Sequence, residues 1–280
     1  MTISPKGSAA SSGNSQPIGI FDSGVGGLTV AKTIFELLPN ENVVYFGDTG
    51  RYPYGPRSDS SVRKFSFQNV SFLLRHKVKL IVVACNTASA VALEVLRGHY
   101  DVPMIGVVEP GARAAVRTTL NKRIGVIGTA GTINSKAYQK AIRRGNPQFK
   151  VYSIPCPLFV SLAEEGYINK KATRLIAREY LHPLVKTGVD TLVLGCTHYP
   201  LLKGVIRNTL GEKVKLIDSA QETAKEVKSV LEEYRLLRSS RAKGYRRFYV
   251  SDIPDRFVEV GERFLKGKIS KVKRIDIDEY

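Results

Sequence analysis

The sequence predicts an α/β protein of two pseudo-symmetric lobes, each with a mostly parallel sheet, and a ligand site in the cleft between them. Three observations carry this prediction. Short apolar runs ending in small residues alternate with stretches of helical periodicity, the order that gives parallel sheets covered by helices. A strand, a glycine-containing turn and a helix occur twice, as IGIFDSGVGGLTV from Ile18 and IGVIGTAGTINSKAY from Ile124. Each copy is followed, 67 and 72 residues on, by an apolar run that delivers a cysteine into small polar residues: LIVVACNTASA around Cys85 and TLVLGCTHYPLL around Cys196. The competing reading is chance likeness between common βα units.

The elements follow in chain order. Residues 1–16 are rich in Ser, Gly and Ala and predict a disordered lead-in. Their single charge, Lys6, argues against a transit peptide. Strands are predicted at 17–21, 42–47, 79–84, 104–108, 123–128, 150–155, 191–195 and 215–219, each a short apolar run. Helices are predicted at 27–38, where the pattern stops before Pro39, and at 60–77, 88–100, 133–144, 170–185 and 219–237. The first lobe is expected to be 17–108 plus 220–280, because the long helix after the last strand is free to return. The second lobe is then 109–219.

Composition bounds the rest. At 280 residues and 43% apolar the chain can bury a substantial core. Three cysteines and the lack of a long apolar run predict a soluble cytoplasmic protein with free thiols and no membrane contact. The net charge of +18 gathers late, in 235–247 and 266–280. A basic face can bind nucleic acid or be merely solvated, and no zinc-finger, RNP or helix-turn-helix signature accompanies it.

Cys156 lies between two prolines and reads as a small buried hydrophobe. Cys85 and Cys196 each end a strand, on the edge of an open sheet where ligands bind. Amide groups and the helix dipole at such a site are expected to lower a thiol's pKa. Asn86 and Thr87 follow the first cysteine, Thr197 and His198 the second, and all four suit a small polar ligand. The few histidines form no metal-ligand spacing, so no metal is expected. Two thiols facing each other suit two-base proton transfer, in which one removes a proton from carbon and the other returns one to the opposite face.

The stretch FDSGVGGLTV offers a GxG, with Asp48 about 20 residues on, as in a dinucleotide-binding turn. Position 29, however, is Thr29 rather than the third glycine, and Asp22 would repel a pyrophosphate. The alternative is that Asp22 and Ser23 face a cation such as an ammonium. The loop GRYPYGPRS, 50–58, lies on the same edge, and backbone amides around Tyr54 and Gly55 can hold a carboxylate. An ordinary surface turn is the plainer reading of that loop.

IFDSGVGGL, YPYGPRS, ACNTAS, CPLFVSLAEEG and LGCTHYPLL, in this order and spacing, resemble the motifs of the glutamate racemase family, within the aspartate/glutamate racemase superfamily. The resemblance runs from about residue 17 to about 225. It implies a cofactor-independent isomerase with its active site in the cleft, interconverting L- and D-glutamate in the bacterial cytoplasm. The D-glutamate would serve peptidoglycan biosynthesis, and so cell-wall biogenesis and cell shape. It carries Cys85 and Cys196 over as the two catalytic bases, assisted by Asp22, Glu164 and His198. Asp22, Ser23, Tyr54, Gly55, Asn86, Thr87, Thr197 and His198 become substrate contacts. Glu165 adjoins Glu164, so that assignment could slip by one. The family's usual proline in FVPL is Ser161 here, and its usual lysine in the PYGxKS loop is Arg57. The expected partners are glutamate and a second copy of the chain. The resemblance also raises DNA gyrase as a secondary partner, for which no residue here argues.

Overall fold

The computed structural model describes residues 13–280, and their strands form two separate sheets in which every pairing is parallel. The first sheet takes β1 (Ile18–Asp22), β2 (Val43–Gly47), β3 (Leu80–Val83), β4 (Met104–Gly106), β9 (Arg246–Val250) and β10 (Val272–Arg274). The second takes β5 (Arg123–Gly128), β6 (Lys150–Pro155), β7 (Thr191–Gly195) and β8 (Lys215–Asp218). Their orders are β10-β9-β2-β1-β3-β4 and β6-β5-β7-β8. The run β2-β1-β3-β4 is therefore repeated by β6-β5-β7-β8, with β1 matching β5 and the strands before the two cysteines, β3 and β7, matching each other. The repeat read from Ile18 and Ile124 is a repeat of topology.

Strands β1, β2, β3 and β7 read as continuous apolar runs because helices cover both faces of the sheet there. Ile18 and Ile20 of β1 point to one core with Leu28, Ile34, Tyr45 and Phe248. Phe21 points to the other face, with Val44, Phe46, Phe72 and Val83. The helices are α1 (Leu28–Leu37), α2 (Asp59–Arg75), α3 (Asn86–Val91), α4 (Leu93–His99), α5 (Val108–Thr118), α6 (Ala130–Asn134), α7 (Ala137–Gly145), α8 (Leu158–Glu164), α9 (Lys171–Val185), α10 (Lys203–Leu210), α11 (Ser219–Glu233) and α12 (Pro254–Leu265). Helix α11 packs against both α1 and α5 and so touches helices on either side of the cleft.

Several elements differ from expectation. The helix expected over 88–100 is two, α3 and α4, parted at Ala92, whose φ of −114° leaves the helical range. The strand expected over 104–108 ends at Gly106 because α5 starts at Val108. Helix α5 hides itself with Pro110 and Gly111, yet a proline in the first turn loses no hydrogen bond. Strand β9 lies in the basic stretch. Its Arg246 and Arg247 are exposed while Phe248, Tyr249 and Val250 are buried, and the Arg246 guanidinium lies 4.0 Å over the Phe35 ring. Four of these late positive charges, Arg246, Arg247, Lys273 and Arg274, therefore sit on strands that complete the first sheet.

Residues 1–12 of the expected disordered lead-in lie outside the described residues. Gly13–Ser15 form a 3-10 turn whose Asn14 and Ser15 carbonyls accept hydrogen bonds from Lys79 and Asn42. Among the described residues no helix is long and apolar enough to cross a membrane.

Candidate active site

The first wall is built at the carboxyl ends of β1, β2 and β3. Asp22 closes β1 and is fully buried. Its Oδ2 accepts from the Gly24 amide at 2.9 Å, and its Oδ1 has no hydrogen-bond partner among the described residues. Burial raises its pKa, with His198 and the Gly27 and Gly24 amides pulling the other way. Cys85 is the N-cap residue immediately before α3, its Sγ 3.7 Å from Ser23 Oγ. The expectation of a lowered thiol pKa fails here. Burial first, and then the Asp22 charge, push the Cys85 thiol up to about 12, outweighing the Ala88 amide and Ser23. Helix α3 has only six residues, so its dipole is weak against desolvation.

Asn86 points its Oδ1 at the Tyr138 hydroxyl, 2.7 Å away, and leaves Nδ2 buried without a partner among the described residues. Asp48 serves no ribose. It is buried, pairs with Arg51 at 2.8 Å and accepts from Ser251 and from the Tyr54 hydroxyl. Asn69 also donates to that hydroxyl. The Tyr54 side chain thus anchors the loop from below; the carbonyls of Tyr54 and Gly55 accept from the Arg57 and Gly131 amides, which leaves the two backbone amides as the groups to meet a ligand.

The second wall follows β7. Cys196 is itself a bend, followed by a turn at Thr197–His198 and a 3-10 turn at Tyr199–Leu202, not by an α-helix. Its polar neighbour is a side chain: His198 Nδ1 lies 3.7 Å from the sulfur. His198 Nε2 meets Glu164 Oε1 at 2.8 Å. Burial presses the imidazole toward neutrality, but hydrogen bonds and charge from Cys196 and Glu164 prevail and raise its pKa to about 10. The pair of neighbouring glutamates is resolved by geometry. Glu164, on α8, faces inward to His198, whereas Glu165 is exposed and pairs with Arg256 of α12 at 3.2 Å. Cys156 is buried, its thiol pushed up to about 12 by burial, and its carbonyl accepts from the Tyr199 hydroxyl.

The two walls touch. Thr29 donates to the Thr197 carbonyl at 3.2 Å, the Gly131 amide donates to the Gly55 carbonyl at 2.9 Å, and the Thr87 hydroxyl lies 2.9 Å from that of Thr129. A Cβ on Gly26 would stand 2.2 Å from Thr197 Oγ1 and 2.5 Å from the His198 ring. This approach fills the space a pyrophosphate would need at the glycine turn, so the turn serves contact between lobes. Cys85 and Cys196 lie within each other's electrostatic reach across the cleft. The sequence-predicted residues Asp22, Ser23, Gly55, Asn86, Thr87, Thr197, His198 and Glu164 all come to this cleft. Sequence reasoning missed Gly26, Thr29, Thr129 and Tyr52. The Tyr52 ring stacks on His198 with centroids 6.2 Å apart and a 27° interplanar angle. Its loop stood out for its aromatics, but nothing in the sequence says which ring turns into the cleft.

The family model for Asp/Glu/Hydantoin racemases matches residues 19–227. A glutamate racemase from Geobacter metallireducens is 54% identical over 261 residues, 93% of this chain and 97% of that one. Among solved structures, the glutamate racemase isoform RacE1 from Bacillus anthracis superposes with a TM-score of 0.90 at 43% identity, covering 93% of this chain and 97% of the other. The Francisella tularensis glutamate racemase, crystallised with D-glutamate, gives a TM-score of 0.90 at 41% identity, covering 95% and 100%.

Proposed function

Because the chain belongs to the Asp/Glu/Hydantoin racemase family, we propose that it interconverts L- and D-glutamate with Cys85 and Cys196 as the two bases. One observation carries the reading. Two thiols end equivalent strands of a repeated topology, in a cleft that also buries an unpartnered acceptor, Asp22 Oδ1, and an unpartnered donor, Asn86 Nδ2. Buried polar groups are nearly always satisfied, so such a pair calls for a ligand with both a donor and an acceptor. An α-amino acid has both. Its ammonium would face Asp22 and Ser23. Its carboxylates would face the amides of Tyr54 and Gly55 and the side chains of Asn86, Thr87 and Thr197.

In the L-to-D direction the Cys196 thiolate takes the α-proton, beside the positive charge of His198. The electron pair stays on the α-carbon. The Cys85 thiol, protonated by virtue of its burial, gives its proton to the opposite face. The products are D-glutamate, a Cys85 thiolate and a Cys196 thiol, and the D-to-L direction starts from that state. The carbanion has no conjugated ring to spread into, so the barrier must fall through the substrate's own ammonium and fixed dipoles in a dry cleft. No cofactor is required.

The lobes of this proposal are 17–108 with 220–280, and 109–219. Sheet membership supports it, since the first sheet draws on 18–106 and 246–274 and the second on 123–218. The proposal extends to a homodimer in the bacterial cytoplasm that supplies D-glutamate for peptidoglycan.

The test is polarimetric. Dialysed protein, without pyridoxal phosphate, metal or nucleotide, should carry either enantiomer of glutamate to zero rotation. A stable rotation, or activity lost on chelation and restored by zinc, would overturn the reading.

A further inference from the structure

We propose that Tyr52 is a positioning residue for one of the two bases only, holding the Glu164–His198 pair in register with Cys196. The proposal rests on the racemase reading above. Three contacts converge on this side chain. Its ring stacks on one side of His198, and Phe264 meets the imidazole edge-on, with centroids 5.1 Å apart. Its hydroxyl lies within interaction reach of the Glu164 carboxylate. A Cβ on Gly24 would stand 3.2 Å from Tyr52 Cδ2, so the ring also rests on the turn that follows Asp22. Tyr52 and Glu164 line one cavity with Gly24 and Val25.

Burial and the Glu164 charge keep the Tyr52 hydroxyl protonated, so toward that carboxylate it is a donor. Glu164 then faces the Tyr52 hydroxyl on one side and meets His198 Nε2 at 2.8 Å on the other. With the carboxylate fixed and the ring clamped, His198 Nδ1 is aimed at the Cys196 sulfur. Among the described residues the chain of contacts Tyr52–Glu164–His198–Cys196 has no counterpart at Cys85, whose hydrogen-bond partner is a hydroxyl, Ser23, with the Asp22 charge nearby. The machinery is therefore asymmetric although the topology is not. Tyr52 touches neither sulfur and acts through its neighbours.

The asymmetry can be read despite a constraint. Enantiomers have equal free energy, so any variant must lose kcat/KM equally in both directions. Primary isotope effects escape this. Cys196 takes the α-proton of L-glutamate and Cys85 that of D-glutamate, so slowing transfer at Cys196 alone makes the L-side step more limiting. Tyr52→Phe keeps the ring and removes the hydroxyl donor that faces a charged carboxylate, a loss of roughly ten-fold in kcat/KM. With α-deuterated substrates, its isotope effect should rise on L-glutamate and fall toward unity on D-glutamate, relative to the parent chain. Glu164→Gln, which ends the charged relay at its next member, should move the two isotope effects in the same opposed directions, and it serves if Tyr52→Phe folds poorly. A role in packing alone would move both isotope effects together. Isotope effects that stay put or shift in parallel, in a parent chain that exchanges α-deuterium from both enantiomers, would overturn the role of Tyr52. A parent chain that releases deuterium from neither would overturn the racemase reading beneath it.

Discussion

Gly26 offers the sharpest test of the closed cleft. An alanine there adds one carbon and nothing else, since Gly26 is not among the glycines held at positive φ. That carbon would stand 2.2 Å from Thr197 Oγ1, where ordinary contact begins at 3.4 Å. The His198 ring, at 2.5 Å, cannot swing aside, because Tyr52, Phe264 and Glu164 surround it. Relief must come from the second wall withdrawing by roughly 1 Å, and a displacement of that size at reacting groups costs about 100-fold in rate. The cost in folding is smaller, about 1–3 kcal/mol for overpacking, because the cleft can open where a core could not. Racemisation of both enantiomers should be followed by polarimetry beside thermal unfolding of the same sample. Gly98→Ala is the control. It meets nothing within 4 Å, lies inside α4, and should leave the rate unchanged while adding up to about 1 kcal/mol of stability. A Gly26→Ala enzyme within two-fold of the parent rate would show that turnover does not use the lobe contact seen here.

The two cysteines give a second prediction. Cys85→Ser and Cys196→Ser should each abolish racemisation, because an alkoxide is too hard to generate near neutral pH. On β-halogenated glutamate, where elimination needs one deprotonation, Cys85→Ser should still act on the L-analogue and Cys196→Ser on the D-analogue. Variants that treat the enantiomers alike, or a Cys156→Ser that loses racemisation equally, would refute the two-base assignment. Glu164→Gln should slow the reaction, and Glu165→Gln, which loses only an exposed pair with Arg256, should not. Equal loss in both would mean the inward carboxylate has been misassigned. Three raised pKa values make stability fall as pH rises, against the opposite pull of the lowered His76 and Lys79. His198 rises from 6.5 to about 10, so its contribution is full below about pH 6.5 and is lost as pH climbs through 10. Cys85 and Cys156, raised from 9.0 to about 12, act in the same direction at higher pH. Urea midpoints should fall from pH 6.5 to 10, and less steeply in His198→Asn; an unchanged slope would show that His198 is not protonated in the fold.

By itself the sequence determined the repeated sheets and the position of both thiols at matching strand ends. The reason is local. A strand buried on both faces must be a short apolar run, and the residue just past it must be small or polar because it meets the ligand edge. Ile18–Asp22, Leu80–Val83 and Thr191–Gly195 satisfy both demands within a few residues. Strand Arg246–Val250 escaped because its first two residues are exposed arginines and only its last three look like core. Tertiary structure decided what depends on residues far apart in the chain. Whether Glu164 or Glu165 turns inward is set by His198, 34 positions later. Tyr52 and Tyr54 sit two apart on one loop, yet one ring packs on the second wall while the other is tied to Asp48 and Asn69 in the first. The sequence predicted an activated Cys85 from its place before a helix, but the closed lobes strip water from that thiol and set it beside Asp22, and desolvation outweighs the amides of one short turn. Strand and helix patterns are properties of neighbours in the chain; burial, charge and reach across the cleft exist only once the two lobes meet.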